Sequence, residues 1–400
     1  VVSQHTRWNH DDVAYRHQIA GPEAAVKLYH HDLATALWRA RFYRPQQEEE
    51  WQVYLHPTDG SVYAVHHQLP EEATGADLVE DEARQLAEDQ MRVHGLDPGR
   101  FELKESTSEK LPNRRDHRFV WEAAPDDPRN LEESMFRTEV HITGDRAAGL
   151  RRFVKLPEEW LREREEGSIW RTVLLWVPIL TIIVAAIHLL WLLVMRIRGG
   201  ELTWSRPLWI GAAGVLLFAI NALNDLPTFF ANYPTQISMS IFILIQTVLL
   251  IFLALAIGLI IAGSAGLAES MFPGVLSRLS AAGLAPQLKD AVLLAGLAVA
   301  GGLAADRWMD VLMAAWPHAA VPAGPLVPDL DNFLPSLNGL GFALTRGLFT
   351  PLSAAIVIFY ATRVLKRPSV VVVALLTLGA CGAGAGAYTS AEFFFGFSEF

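Results

Sequence analysis

Carboxylate and imidazole groups that converge on one point can hold a metal and activate water, and this chain offers few groupings of that kind. Adjacent glutamates occur in "EESMFR", where Glu132 and Glu133 precede Arg137. Adjacent histidines occur at His30-His31 and His66-His67, and His188 lies alone inside a long apolar run. Each grouping has a plainer reading. "EESMFR" opens an alternating stretch, "MFRTEVHI", and neighbours on a strand point to opposite faces, so the two carboxylates would diverge. The same parity separates His66 from His67. No histidine or carboxylate stands three or four residues from His188, so a hydrogen bond between helices is expected of it rather than ligation. Gln246 is read as bonding across helices, and Asn221, Asn224 and Asp225 as the polar end of a membrane helix. No phosphate-cradling loop or Ser-His-Asp order is readable, and a single cysteine, Cys381, excludes a disulfide framework. No residue is therefore assigned as catalytic, cofactor-binding or metal-binding.

The elements that would position any site divide into two territories. The chain is 51% hydrophobic, yet 33 of its 43 acids and 23 of its 33 bases lie at or before Arg171, so the first part carries the whole net charge of −10. That balance argues against a nucleic-acid partner. Residues 1–165 read as a charged α+β domain and 166–400 as an all-α membrane domain. A span needs roughly 20 apolar residues, and about six such runs follow one another: Ile169–Met195, Pro207–Leu223, Ile237–Ile261, Leu288–Ala305, Gly347–Thr362 and Ser369–Tyr388. In the last of these, Gly382 and Gly386 are spaced for close helix approach. Trp170, Trp176, Trp191, Trp204 and Trp209 gather toward the ends of the first two spans, as an interfacial belt does. The stretch from Trp308 to Gly341 holds too many prolines and glycines for one span and is read as an outer surface or shallow re-entrant segment.

Short loops retain Lys and Arg on the cytoplasmic side. Arg196, Arg198 and Arg206 follow the first span, Arg278 and Lys289 the third, and Arg363, Lys366 and Arg367 the fifth, whereas "NDLPTFFANYPTQIS" after the second has no base. The alternation places residues 1–165 outside the cytoplasm. A tail of that size needs an export signal or anchor helix ahead of Val1, so the chain is read as an interior piece of a longer protein.

The tetrapeptide "LPEE" occurs at 69–72 and again at 156–159. Upstream of each copy, Val53 falls in step with Val140 and Leu55 with Ile142. The stretches "WQVYLHPTDGSVYAVHHQL" and "FRTEVHITGDRAAGLRRFVKL" both read as hairpins, turning at Asp59-Gly60 and Gly144-Asp145. A helix precedes each: one near Pro22–Leu33, followed by the strand "ALWRARFYR", and one near Leu78–Val93 with Val79, Ala83, Leu86 and Met91 on its apolar face, followed by "FELKEST" and "HRFVWEA". The expectation is two α-β-β-β units, each laying a small sheet over its own helix. "LPEE" then marks where the last strand of each unit stops at a proline, and "EEWLREREEGSIW" forms the helix leading into the membrane.

That element order, with its glycine-bearing hairpins, resembles the PepSY-like modules of bacterial exported and membrane-attached proteins. An exported pair of units followed by many spans, with stretches such as "NRRDHRFVWE", "LRRFVKLPEEW" and "LVPDLDNFLPSLNGLGFALTRG", resembles the front half of CPBP (Abi, CAAX-protease-like) intramembrane metalloproteases. The resemblance implies a front domain that regulates access or recruits a membrane-protein or peptide substrate. It also implies an E-E-x-x-x-R helix, and with it zinc or another divalent metal, beyond Phe400. The alternative is a non-enzymatic sensor or transporter-like component whose exported domain binds a partner.

Overall fold

The computed structural model describes residues 1–7, 10–166, 168–276, 284–315, 330–364 and 366–386. Two compact units result. One comprises Val1–Glu163 with Asp225–Gln246 and Val321–Pro335, and the other Arg164–Asn224, Thr247–Ala320 and Ser336–Phe400.

The first unit is built on one antiparallel sheet of eight strands: β1 (Val2–Thr6), β2 (Ala36–Tyr43), β3 (Glu50–Leu55), β4 (Val62–Gln68), β5 (Phe101–Lys110), β6 (Arg115–Ala123), β7 (Met135–Thr143) and β8 (Arg146–Lys155). Their spatial order is β1-β2-β3-β4-β8-β7-β6-β5. The two halves meet through their last strands, and the expected pair of separate small sheets is instead one continuous sheet. The join is narrow, with a single registered pair, His66 opposite Gly149.

Helix α2 (Glu80–Val93) turns Ala83, Ala87 and Met91 onto Phe119, Trp121, Val140, Ile142 and Leu150. Two alanines one turn apart let the helix approach the sheet closely. Val79 and Leu86, expected on this face, are exposed: Val79 is the extended residue that precedes the helix, and the stripe repeating every four residues from Ala83 passes through Ala87 rather than Leu86. Helix α1 (His10–His31) bends at Gly21, whose φ of 78° is left-handed. Its Tyr15 and Leu28, together with Leu33, pack on Ala123, Phe136, Val154 and Leu156. Both helices thus cover the β6–β8 half. The β2–β4 half keeps a small cluster of Ala34, Leu37, Tyr63 and Ala64 against Tyr54. Val53 and Leu55 are accordingly half-buried, whereas Val140 and Ile142 are fully buried; they were expected as equivalent core positions.

The hairpin turns also differ. Gly144 and Asp145 make a two-residue turn between the paired Thr143 and Arg146, with Gly144 at φ 62°. In the first hairpin the loop is wider: the amide of His56 donates to the carbonyl of Ser61, and the Asp59 carboxylate accepts from the amide and hydroxyl of Ser61. Each "LPEE" follows its strand end. The buried Arg114 guanidinium donates to the carbonyls of Pro70 and Ala73 beside the first copy. In the second, Leu156 is buried and Glu158-Glu159 open α3 (Glu158–Glu166) as its acidic first turn.

Among the described residues, five helices are long and apolar enough to cross a membrane. They are α4 (Ser168–Arg198), α5 (Ser205–Asn224), α7 (Met239–Met271), α8 (Leu284–Ala315) and α9 (Pro335–Phe359), with the short α6 (Leu226–Ala231) after α5. The expected sixth span corresponds to α10 (Pro368–Gly386), whose described apolar run, Ser369–Cys381, is shorter than a crossing requires. The packing of Gly382 and Gly386 lies outside the described residues. The segment 308–341 is largely helical where it is described: α8 runs through Trp308 to Ala315 and α9 begins at Pro335. Residues 316–329 lie outside the description.

In the second unit, α5 crosses α7 on small residues. A Cβ on Gly211 would fall 2.5 Å from the carbonyl oxygen of Gly258, one on Gly214 would meet Ile261, and Gly266 faces Pro207. Gly258, Ala262 and Gly266 repeat every four residues along α7, the small-residue stripe that lets backbones touch where lipid supplies no hydrophobic drive.

Candidate functional site

Two hollows lie in the sheet unit, and the strands fix what lines each. The first, of about 400 Å³, gathers Glu133, Met135 and Arg137 from the "EESMFR" region, all of Leu156 to Glu159 from the second "LPEE", and Lys104, Glu122 and Lys155. Both phrases that stand out in the sequence thus meet at one place. Glu132, at φ 48°, and Glu133 form the tight turn bridging Leu131 and Ser134, and Arg137 follows on β7. Arg137 is committed to acids: its guanidinium lies 2.7 Å from Glu122 and 3.3 Å from Glu105.

From there the charged face of the sheet continues as an alternating chain. Glu105 also pairs with Arg118, Arg118 with Glu139 at 2.9 Å, and Glu139 with His141 at 2.5 Å. The hydrogen bond from His141, with a second from Arg118, overrides burial and holds the Glu139 carboxyl down at about 2. Four carboxylates and three cations around the first hollow suit a partner that carries both signs of charge. Among the described residues no group of three or more His, Cys, Asp or Glu is placed to hold a metal.

The second hollow, of about 430 Å³, opens at the join between the halves. Arg7, Arg151, His5, His66, Tyr54 and Leu150 are among its lining. His66 and His141 both stand opposite Gly149. A Cβ there would meet Nδ1 of His66 at 3.1 Å, so the glycine leaves room for the imidazole. Burial and the field of His141 lower the pKa of His66.

A third feature anchors the unit's separate chain segments. Arg41 binds Glu50 through two contacts of 2.6 Å, donates to the carbonyls of Ala231 and Tyr233 at 2.6 and 3.2 Å, and lies over the ring of Tyr43. Burial pulls the Glu50 carboxyl upward, but the hydrogen bonds and charge of Arg41 outweigh it and hold it below its ordinary value. The amide of Gln46 donates to the carbonyl of Thr235, the amide of Gln4 to the carboxylate of Asp331, and the hydroxyl of Thr228 to the carbonyl of Asp331. The base-free stretch after α5 and the residues before α9 are thus built onto the first strands of the sheet.

The remaining candidates have structural partners. His67 is buried, stacks on Trp51 at 3.6 Å and reaches Glu49 at 3.0 Å, while His66 points to the other face. The side chains of His30 and His31 lie outside the described residues. His188 shares a hydrogen bond with the hydroxyl of Tyr360 at 2.5 Å and lies against Trp191. Gln246, expected to bond across helices, makes no side-chain hydrogen bond among the described residues. Asn224 is buried at the end of α5, and the Asn221 carboxamide occupies the space a side chain at position 341 would need, which Gly341 leaves open. The Arg41 anchor was not foreseen. Its one signal was an Arg-x-Tyr strand facing Glu50-x-Gln across a short loop, and its long-range acceptors are backbone atoms without a sequence signature. Comparison with known proteins returns no matching family model, no matching characterised protein and no matching solved structure.

Proposed function

We propose that the chain is a multi-pass protein of the bacterial inner membrane. Its sheet unit lies outside the cytoplasm, recognises a partner, and passes the bound state to the helices. The observation that carries this is the Arg41 anchor: strand β2 and the loop after it are hydrogen-bonded to a segment that runs on into α7, and β1 to one that runs on into α9. Whatever loads the sheet therefore pulls on residues that continue into two apolar helices. The lack of bases in 225–238 and the basic loops elsewhere support the outward orientation. Each half supplies one helix and four strands, β1-α1-β2-β3-β4 and α2-β5-β6-β7-β8, joined through β4 and β8, and this equal content supports an origin by duplication of a PepSY-like unit.

The resemblance to CPBP proteins supports a narrower reading, in which the sheet unit recruits substrate for intramembrane metalloproteolysis. The "E-E-x-x-x-R" string at Glu132–Arg137 does not serve that reading, because it forms a turn and a strand of the sheet unit. Partner recognition is therefore the better-supported function.

A photo-crosslinking residue at Met135, in the first hollow, tests it in intact cells against one at Val93, on the exposed end of α2. A discrete adduct at Met135 alone is expected; equal adducts at both sites, or none at Met135, overturn the proposal. Impermeant maleimide should label Ser61→Cys and spare Gly200→Cys in a Cys381→Ser background, and the reverse would overturn the orientation.

A further inference from the structure

We propose that the hollow between β4 and β8 is a binding site for the carboxylate of an apolar-bodied organic acid. This rests on the recognition reading above and supplies its ligand chemistry. No carboxylate lines the hollow, although two guanidiniums, Arg7 and Arg151, and two imidazoles, His5 and His66, do. In a chain with ten more acids than bases, two guanidiniums gathered without a carboxylate in the same lining call for an anion, and the two imidazoles add hydrogen-bonding groups beside them. Arg7 spends one nitrogen on the carbonyl of Arg152 at 2.7 Å, which fixes the guanidinium, and among the described residues its side chain makes no other hydrogen bond. Arg151 lies over the Phe153 ring and has no acid partner among the described residues. Planar forks of this kind match a carboxylate with two parallel hydrogen bonds.

The rest of the lining selects the body of the ligand. Leu37 and Leu150 are buried, and the Tyr54 ring lies 5.0 Å from that of His5, giving an apolar floor beside an aromatic wall. A volume near 430 Å³ falls in the range of small-ligand sites. A phosphate alone would leave that floor wet. Glu50, whose field reaches His66 and Tyr54, is paired with Arg41, and Asp12 is buried, with one carboxylate oxygen lacking a partner. It feels both Arg7 and Arg151, but burial keeps its pKa near 7, so near neutral pH it neutralises them only in part.

A free small acid and the C-terminal carboxylate of a peptide share this chemistry, and the probes separate them. The full chain in nanodiscs would be titrated calorimetrically with phenylacetate, phenylacetamide, Ala-Phe, Ala-Phe amide and inorganic phosphate. At least one acid should bind ten times more tightly than its amide and than phosphate. Arg151→Gln, an exposed change, should remove that preference, and Arg92→Gln on α2 should leave it. If phenylacetate leads the ligand is a free acid, and if Ala-Phe leads it is a peptide end; either supports the site. Equal affinity for acid and amide, equal or tighter binding of phosphate, no binding of any acid, or an unchanged preference in Arg151→Gln overturns it. Crosslinking at Met135, in the other hollow, would survive that failure, so the two proposals fall separately.

Discussion

The two halves of the sheet each contribute four strands and one helix and bury opposite things. Under β6–β8 lie Phe119, Trp121, Phe136, Val140 and Ile142, all essentially inaccessible, with both helices pressed on them. The β2–β4 half has a four-residue apolar cluster and a buried Arg41–Glu50 pair held by backbone carbonyls of a distant segment. Burying an aromatic or aliphatic side chain contributes about 1.5–3 kcal/mol, whereas a buried ion pair adds little net stability and penalises any change that breaks it. One half therefore supplies stability and the other attachment. The same strand pattern serves both because period-2 alternation presents two faces, and nothing in the alternation dictates which one is covered.

That division can be broken from either side. Trp121→Ala should cost the sheet unit about 4 kcal/mol in urea unfolding of the full chain, with loss of the Trp160–Tyr15 edge contact that α1 makes on the same side. A loss below about 1 kcal/mol would move the core elsewhere. Arg41→Met should cost about 3 kcal/mol by stranding Glu50. Its mark is local: amide exchange should accelerate at Gln46 and across 231–235, with α2 unaffected. A uniform loss of protection would deny the attachment role.

Asp12 sharpens the comparison because it stands on α1 between the halves. Its folded pKa of about 7 lies above the ordinary 3.8. The folded state therefore binds the proton more tightly, and stability falls as pH rises from about 4 to 7, by roughly 1.4 kcal/mol per unit at most. Asp12→Asn should raise the melting temperature at pH 8 and change little at pH 4; the opposite order would place the carboxylate in a salt bridge. Glu139 has the reverse sign, its folded value of about 2 lying below the ordinary 4.5. Its stabilisation is complete above about pH 5 and fades toward pH 2, so Glu139→Gln should cost about 1–2 kcal/mol at pH 7. The cost should vanish near pH 2, and a constant cost across that range would mean lost shape rather than lost charge.

The hairpins, the strand ends at both "LPEE" copies and the apolar helices were legible because each depends on residues near one another: alternation, a turn glycine, a proline, a run of twenty. The face of α2 was misjudged by choosing the larger Leu86 over Ala87, where close approach favours the smaller side chain. The expectation of two separate sheets failed because the β4–β8 join is one pair, His66 with Gly149, and a single pairing leaves no pattern. The α5–α7 crossing had a readable stripe, Gly258, Ala262 and Gly266, overlooked beside the more conspicuous Gly382 and Gly386. Of the sites, the hollow at "EESMFR" and the second "LPEE" was half visible, since both phrases stood out though nothing suggested that they touch. The cationic hollow draws on β1, β2, β3, β4 and β8 at once and was invisible to any local reading.

The anchor also sets a clock on biogenesis. Glu50 follows Arg41 by nine residues, so the pair can form almost as soon as it is made, while the carbonyl of Ala231 lies 190 residues further along. At about 5–20 residues per second that interval is roughly 10–40 s. Through it, β2 and β3 must wait while the apolar segments α4 and α5 are synthesised. Early strands that hold their charge already paired are suited to such a wait, and the apolar half, whose buried cluster residues all lie between Tyr15 and Leu156, is the half that does not need to wait.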